Sequence, residues 1–408
     1  MKADDRSSLG MCRWPGPKKS SRTVLVLTVI VLGGLLTVYW TGGIAMFQQK
    51  RPLTSPTGVL VLEDCDSDFR TPPFEDVVLM FGPDGKPVRK VRDLNICQTV
   101  GGCRSLSVAR DGRFFVVCEN VGNKLTAYEL ETGERFWSLD GDFTSATVSA
   151  NGWVYALTSD GTIYGKQTLV IDQGGRIARQ ASVGGFDLVE DPNRKVLWLV
   201  GKSIKRCDLD LRVLLEVNPI GWCAVSVDLN QDGSVWVAER EHPDVAQSTN
   251  RIFRISSGGQ ILKTVGLPFS PMCLRVDRSD GSVWVTGGAS RKSAGQRVLE
   301  AVEKLTGRLP TGRWARDYLT RPRVWHRTHK YDNAGALQCK IRQGGCSLDI
   351  DQADGSLWVA GIKKVFHYSR QGTELGQSSS GEPSDQKNIA VVPGRGERDE
   401  PPAPPNSR

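Results

Sequence analysis

A basic, aromatic stretch late in the chain carries side chains that can grip an anion. Its candidate binding residues are Arg313, Trp314, Arg316, Tyr318, Arg321, Arg323 and Trp325. Guanidinium groups pair with anionic groups, and the rings between them add stacking and cation–π contacts. We therefore expect this segment to bind an anionic polymer, a lipid headgroup or a partner protein. The alternative is a solvated loop that covers the rim of the fold.

Three glutamates at the ends of short apolar runs form a second candidate site. Glu63, Glu119 and Glu239 follow "VL", "VC" and "VA", and His242 lies three residues after the last of them. Converging carboxylates can hold a divalent cation that polarises a substrate. Other copies of the same phrase have Gly or Ser at this position, and the chain contains only 4 His. We therefore predict no cofactor, with one divalent cation here as the alternative.

The elements that must position these residues are repeats of one sequence motif. It reads "GWCAVSVDLNQDGSVWVAE" from Gly221, "SPMCLRVDRSDGSVWVTGG" from Ser270 and "GGCSLDIDQADGSLWVAG" from Gly344. Six copies have turns at Asp111, Asn151, Asn193, Asp232, Asp280 and Asp354, spaced by 40, 42, 39, 48 and 74 residues. A period near forty residues is typical of a repeat architecture.

Each copy predicts four antiparallel strands, A to D. Apolar residues alternate with polar ones around the Asp-Gly turn, which is the pattern of a hairpin with one buried face. A second pair of alternating runs follows, as in "NRIFRISSGGQILKTV" from Asn250. A sheet of this size cannot cover both its faces, so such units must stack, and radial stacking gives a β-propeller. The fold class is therefore all-β.

The two ends of the repeat region predict the number of blades. Residues 58–94 contain strands B, C and D without a strand A, and the apolar run "NIAVVPG" from Asn388 can supply the missing strand and close the ring. The propeller then spans residues 58–394 with seven blades. Six blades are the alternative, if the last strand does not pair.

The segment from Asn250 to Gly288 resembles the repeats of NHL-type and virginiamycin B lyase-like β-propellers. It has their Asn-Arg-Ile-x-Arg-Ile strand, followed by a Pro-containing segment and a Gly-x-φ-Trp-φ strand, where φ is an apolar residue. The resemblance spans about 300 residues. It implies a propeller fold, and it is compatible with binding modules, lyases and lactonases alike.

The N-terminus predicts a membrane anchor. Residues 23–47 contain no charged side chain and are long enough to cross a bilayer, whereas residues 1–22 have six Lys or Arg and two Asp. We therefore expect residues 1–22 in the cytoplasm, a signal anchor over residues 23–47, a linker over residues 48–57 and a periplasmic or extracellular propeller. Cleavage near Gly43 to Ala45 is the alternative. Nucleic acid is not expected as a partner, because an exported protein seldom meets it.

Nine of the ten cysteines lie beyond the anchor, which fits an oxidising compartment. Cys97 with Cys103, and Cys339 with Cys346, flank links from strand D of one blade to strand A of the next. We predict a disulfide across each link, with buried thiols as the alternative. The chain has no CxxC motif and no Cys/His cluster with zinc spacing.

The anion-binding stretch belongs to an insertion at residues 289–330, between strands B and C of one blade. Residues 294–306 predict a helix that packs by Val298, Val302 and Leu305. Residues 291–330 have eleven Lys or Arg and three Asp or Glu, so the positive charge of the chain is local. Residues 376–387 read as a flexible connection to the closing strand, and residues 395–408 as a disordered tail.

Two functions from different classes follow from these residues. The first is a membrane-anchored binding or scaffolding propeller, which is not an enzyme. The second is a metal-assisted lyase or lactonase with its site at the channel mouth. The sequence has no nucleophile elbow, phosphate-binding glycine loop or haem-attachment motif.

Overall fold

The structure is a computed structural model. It describes residues 58–64, 74–82, 86–97, 105–119, 124–159, 165–218, 224–240, 249–291, 323–361, 364–378 and 385–392. All of these lie in one of the two compact units of the chain, Pro52–Arg408, whereas the unit Met1–Arg51 lies outside the described residues. The predicted anchor and the predicted helix of the insertion therefore both lie outside them.

The described residues form seven four-stranded antiparallel sheets, which are the blades of a β-propeller. Blade 1 consists of β28 (Asp385–Val392), β1 (Gly58–Asp64), β2 (Phe74–Phe81) and β3 (Pro87–Cys97). Blade 2 consists of β4 (Ser105–Val108), β5 (Phe114–Glu119), β6 (Lys124–Glu129) and β7 (Arg135–Asp140). Blade 3 consists of β8 (Phe143–Val148), β9 (Val154–Thr158), β10 (Gln167–Ile171) and β11 (Ile177–Ala181).

The other four blades repeat this order from the channel outwards. Blade 4 consists of β12 (Asp187–Asp191), β13 (Val196–Val200), β14 (Ile204–Asp208) and β15 (Val213–Val217). Blade 5 consists of β16 (Ala224–Leu229), β17 (Val235–Glu239), β18 (Arg251–Ile255) and β19 (Ile261–Gly266). Blade 6 consists of β20 (Ser270–Asp277), β21 (Ser282–Arg291), β22 (Arg323–Tyr331) and β23 (Leu337–Ile341). Blade 7 consists of β24 (Gly345–Ile350), β25 (Leu357–Gly361), β26 (Val365–Tyr368) and β27 (Glu374–Ser378).

The predicted turns join strands A and B of each repeat. Gly233 has a φ of +79°, a left-handed conformation that glycine adopts without the steric cost of a Cβ atom. The copy "DPNRKV" in blade 4 lacks this glycine, and Lys195 takes a φ of +53° in the same turn. The turn geometry is therefore retained where the glycine is lost.

The C-terminal strand closes the ring, which confirms seven blades and excludes six. Strand β28 pairs antiparallel with β1, so that Leu60 lies opposite Ala390 and Val61 opposite Ile389. Along β28 the side chains alternate between two cores: Ile389 packs into the core shared with blade 7, and Ala390 and Val392 pack into the core shared with blade 2. The last strand therefore joins the first and last blades.

Four blades place a tryptophan of strand B at the interface with the next blade. Trp198, Trp236, Trp284 and Trp358 are at most 2% exposed. The residue paired with each on strand C is basic or aromatic: Lys330 Nζ lies 5.4 Å from the ring centre of Trp284, and the His367 ring stacks on Trp358 at 3.9 Å. The Arg206 guanidinium lies 5.9 Å from the ring centre of Trp198. At the interfaces that contain Trp198, Trp284 and Trp358, the apolar layer is thus capped by a cation–π or stacking contact.

The predicted disulfide between Cys339 and Cys346 is wrong, because the structure does not join these two cysteines. Cys339 lies on β23, the outermost strand of blade 6, and Cys346 lies on β24, the innermost strand of blade 7. The link between them crosses the width of a blade, which is three strand spacings of about 4.8 Å. A disulfide requires Cα atoms within about 7 Å. The pair Cys97 and Cys103 lies outside the residues whose side chains are described.

Candidate functional site

The inner strands of the seven blades surround a central channel that contains a cavity of about 500 Å³. Polar side chains line most of it because every second residue of an inner strand points along the same side of its blade. The hydroxyl-bearing residues of this lining are Ser105, Ser107, Thr144, Ser145, Thr147, Ser226 and Ser347. Blades 2 and 3 therefore give the channel a largely uncharged, hydroxyl-rich wall.

Charged side chains are concentrated on the opposite wall, in blades 4 to 7. Asp228, Arg275 and Asp349 occupy the same register position in three consecutive blades, each opposite the tryptophan of its strand B. Asp187 of blade 4 lies nearby on the same wall. Arg275 Nε lies 3.5 Å from Asp349 Oδ1, and Arg275 Nη1 donates to the carbonyl of Leu274 at 2.8 Å.

Burial sets the protonation behaviour of this wall. Loss of hydration raises the pKa of Asp187 and of Asp349, and the positive charge of Arg275 is the largest influence that opposes it. Burial also raises the pKa of the Cys273 thiol, which keeps it protonated and a poor nucleophile. The carboxylate oxygens of Asp187 and Asp349 accept hydrogen bonds from backbone N–H groups of the inner strands. These side chains therefore connect the inner strands of neighbouring blades.

None of these four channel residues was predicted from the sequence. The signal was available in "VDL" at Val227, "LRV" at Leu274 and "LDI" at Leu348, where a charged residue stands between two apolar ones in successive copies. A strand pattern places such a residue on the polar face, and that face is normally solvent. In the closed ring, the polar face of strand A instead points into the channel.

The structure gives Glu239, from the predicted cation site, a different partner. Glu239 is 1% exposed, and its Oε2 accepts a hydrogen bond from Arg251 Nε at 2.5 Å. Burial raises its pKa, and the hydrogen bond and charge of Arg251 oppose this effect. Glu119 lies opposite the basic Lys124 in the strand register. The side chains of Glu63 and Glu119, and residue His242, lie outside the description.

Within the part of the chain that the structure describes, no group of three or more His, Cys, Asp or Glu is placed to hold a metal ion. Glu63 and Glu119 lie at or next to the ends of strands in adjacent blades, whereas Glu239 belongs to blade 5. Among the described residues, the charge partner of Glu239 is therefore Arg251 and not a set of further carboxylates.

The strands that flank the insertion are longer than their counterparts. Strand β17 ends three residues after Trp236, whereas β21 continues to Arg291, seven residues after Trp284. Strand β22 begins at Arg323 and pairs with this extension through Ala289 and Trp325. The ends of the predicted insertion thus continue strands B and C of blade 6. Residues 292–322 lie outside the described residues, as do the side chains of Arg323 and Trp325.

The fold and its polar channel define the class of the chain, which is a seven-bladed β-propeller closed by its C-terminal strand. Solved structures with a similar fold include the following two. Hydrazine synthase of Kuenenia stuttgartiensis aligns with a TM-score of 0.52 and 12% identity over 67% of this chain and 78% of that one. A functionally unknown protein from Desulfotomaculum acetoxidans DSM 771 aligns with a TM-score of 0.55 and 12% identity over 83% of this chain and 99% of that one.

No protein-family model and no curated protein sequence matches the chain. The resemblance to NHL-type and virginiamycin B lyase-like repeats is therefore confirmed only as far as the propeller fold. No helix among the described residues has the length and apolar character to cross a membrane.

Proposed function

We propose that the chain is a membrane-anchored binding propeller with NHL-type repeats, and that its blade 6 insertion presents a basic, aromatic surface to an anionic partner outside the cytoplasm. The observation that carries the proposal is the extended ribbon of β21 and β22. Its four extra residues per strand beyond the end of β17 span about 13 Å at about 3.3 Å per residue. The ribbon thus carries the insertion beyond the end of the neighbouring blade's strand B.

The order of the strands fixes the face of the propeller from which this ribbon projects. The B-to-C connections leave the same face on which the inner strands begin, so Arg291 and Arg323, the described ends of the two strands that flank the insertion, lie on that face. A closed ring has no open sheet to distort, which suits a rigid platform for a binding loop. The fold is consistent with a binding or scaffold module, and the local surplus of Arg and Lys favours an anionic partner.

Charge reversal within the insertion tests this proposal. The triple change Arg316→Glu, Arg321→Glu and Arg323→Glu is expected to weaken binding to anionic lipid vesicles by roughly 100-fold, because each cation near such a surface contributes about 1 kcal/mol. Binding is measured by sedimentation at several salt concentrations and should be strongest at low salt. An anionic polysaccharide column distinguishes a polymer from a lipid headgroup.

The matched control reverses three exposed basic residues on the outer rim, Arg176, Arg212 and Lys263. It changes the net charge by the same amount without touching the insertion. Equal losses of binding in both triple variants would mean that only net charge matters. Undiminished binding of the variant with Arg316→Glu, Arg321→Glu and Arg323→Glu would mean that the insertion is a solvated loop without a binding role.

Removal of residues 1–50 tests the anchor. The shortened chain is expected to leave the membrane fraction and stay in the supernatant after high-speed centrifugation, because the only apolar segment long enough to span a bilayer has been removed. Detection of the β-rich protein by circular dichroism confirms that the propeller remains folded. A shortened chain that still sediments with membranes would contradict the proposed anchor.

The alternative of a metal-assisted lyase or lactonase has no specific observation in its favour. Its best-described residue, Glu239, is held by Arg251.

A further inference from the structure

Three channel carboxylates bind their surroundings in the same way. One oxygen accepts the N–H group of the following residue, as Asp349 Oδ1 does from Ile350 at 3.0 Å. The other oxygen accepts an N–H group from the inner strand of the next blade. These second contacts run from Val227 to Asp187 at 3.1 Å, from Val276 to Asp228 at 2.8 Å and from Val391 to Asp349 at 2.8 Å.

These contacts satisfy backbone N–H groups that the propeller fold leaves without a strand partner. The inner strand of each blade has one edge without a neighbouring strand, and its buried N–H groups need acceptors. Aspartates supply them at the interfaces between blades 4 and 5, 5 and 6, and 7 and 1. The last of these interfaces contains β28, the strand that closes the ring without a covalent link to β1.

Blade 6 breaks the pattern, since Arg275 takes the position that Asp228 and Asp349 occupy in the flanking blades. A guanidinium cannot accept an N–H group. It lies instead beside Asp349, with Asp228 and Asp187 close enough to raise its pKa. Burial alone would lower that pKa, and the negative charges of the surrounding carboxylates outweigh this effect.

We propose that Arg275 is the charge-balancing centre of the channel and that the closing strand is held by a charge-controlled latch. Asp349 accepts the hydrogen bond from the N–H group of Val391 in β28 as a carboxylate only because Arg275 stands beside it. The inference concerns the propeller itself and does not depend on what binds to the insertion.

The surroundings of Asp349 support this assignment. The titratable and charged groups near it are Arg275 and Cys273 from β20, Asp228 from β16 and Asp187 from β12. Arg278 and Asp351 line the same cavity. The described side chains of β28 that line the cavity are uncharged: Asn388, Ile389, Ala390 and Val391. Arg275 is therefore the cation paired with Asp349.

The sign of the pH dependence follows from the raised pKa of Asp349 and Asp187. A carboxyl group whose pKa is higher in the folded chain favours the folded state below its unfolded pKa. This contribution is lost as the pH rises through the folded pKa. Without Arg275 the folded pKa rises further, so the latch weakens most at neutral and alkaline pH and recovers on acidification.

Hydrogen exchange of residues 385–392 in the full-length chain tests the latch. We expect Arg275→Met to lower the protection factors of β28 by about tenfold or more at about pH 8, and by less than about threefold at about pH 5. Protection factors correct for the intrinsic pH dependence of exchange. Adding Asp349→Asn to Arg275→Met removes the unbalanced charge and keeps an acceptor for Val391, so it should restore protection to within about threefold.

Arg254→Met is the matched control, because Arg254 pairs with Asp232 at 2.5 Å on strand C, outside the channel lining. It should leave β28 protection unchanged at both pH values. A loss in Arg275→Met that is equal at both pH values would overturn the proposal. If Arg275→Met does not fold, the double variant decides: folding supports the charge argument, and failure shows that Arg275 acts by packing alone.

Discussion

Ending the chain before Asn388 is expected to destabilise the propeller by on the order of 3–5 kcal/mol, the largest effect we predict for a short deletion. Ile389, Ala390 and Val392 are each at most 8% exposed and belong to the cores on both sides of blade 1. Burial of an aliphatic side chain of this size contributes about 1.5–3 kcal/mol. Part of the gain is offset by the cost of ordering the strand.

Thermal unfolding followed by circular dichroism measures this effect. The midpoint should fall by roughly 10 °C, and the free edge of β1 should increase aggregation. A chain that ends after Gly394 is the control, since it keeps all of β28 and should unfold like the full-length protein. An unchanged midpoint in the shorter chain would mean that the ring does not depend on β28.

Trp284→Ala is expected to cost about 3–5 kcal/mol of unfolding free energy, because it removes the largest side chain from the interface between blades 6 and 7. Trp284 is 0% exposed and packs with Leu348, Ile350 and Leu357 of blade 7. The change also removes the ring beneath the ammonium group of Lys330, which is itself only 7% exposed. The cavity and the loss of a contact to the Lys330 ammonium group therefore both lower the free energy of unfolding.

Urea denaturation with intrinsic fluorescence of the remaining tryptophans measures the loss. Phe136→Ala is the matched control: this ring lies on an outermost strand and is 59% exposed, so its removal should change stability by less than about 0.5 kcal/mol. Similar losses in the two variants would contradict the role assigned to the tryptophan layer.

The strands and their order could be predicted because they depend on local sequence. Alternation of apolar residues with period two and the Asp-Gly turns define hairpins within about twenty residues, as in the copy around Asp232 and Gly233. The number of blades needed one further step: the unpaired run at Asn388 had to match the missing inner strand before Gly58. Both inferences rest on edges that must be paired, whatever the details of packing.

The prediction of a disulfide between Cys339 and Cys346 failed because a count of intervening residues says nothing about direction in space. Cys339 and Cys346 are close in sequence, but the chain between them runs from the rim of the propeller to its channel. The strands that flank the insertion are strands B and C of blade 6, which pair with each other up to Arg291 and Arg323.

The sequence by itself determined the class of fold, the repeat and its closure, because hydrophobic alternation and turn residues act over short stretches of chain. Only the tertiary structure decided which polar residues meet. Asp187, Asp228, Arg275 and Asp349 are spread over more than 160 positions of the sequence, and they share one channel wall only once the ring is closed. A strand pattern records which side of a sheet a residue occupies. Whether that side faces solvent, another blade or a buried charge depends on how the blades are arranged around the axis.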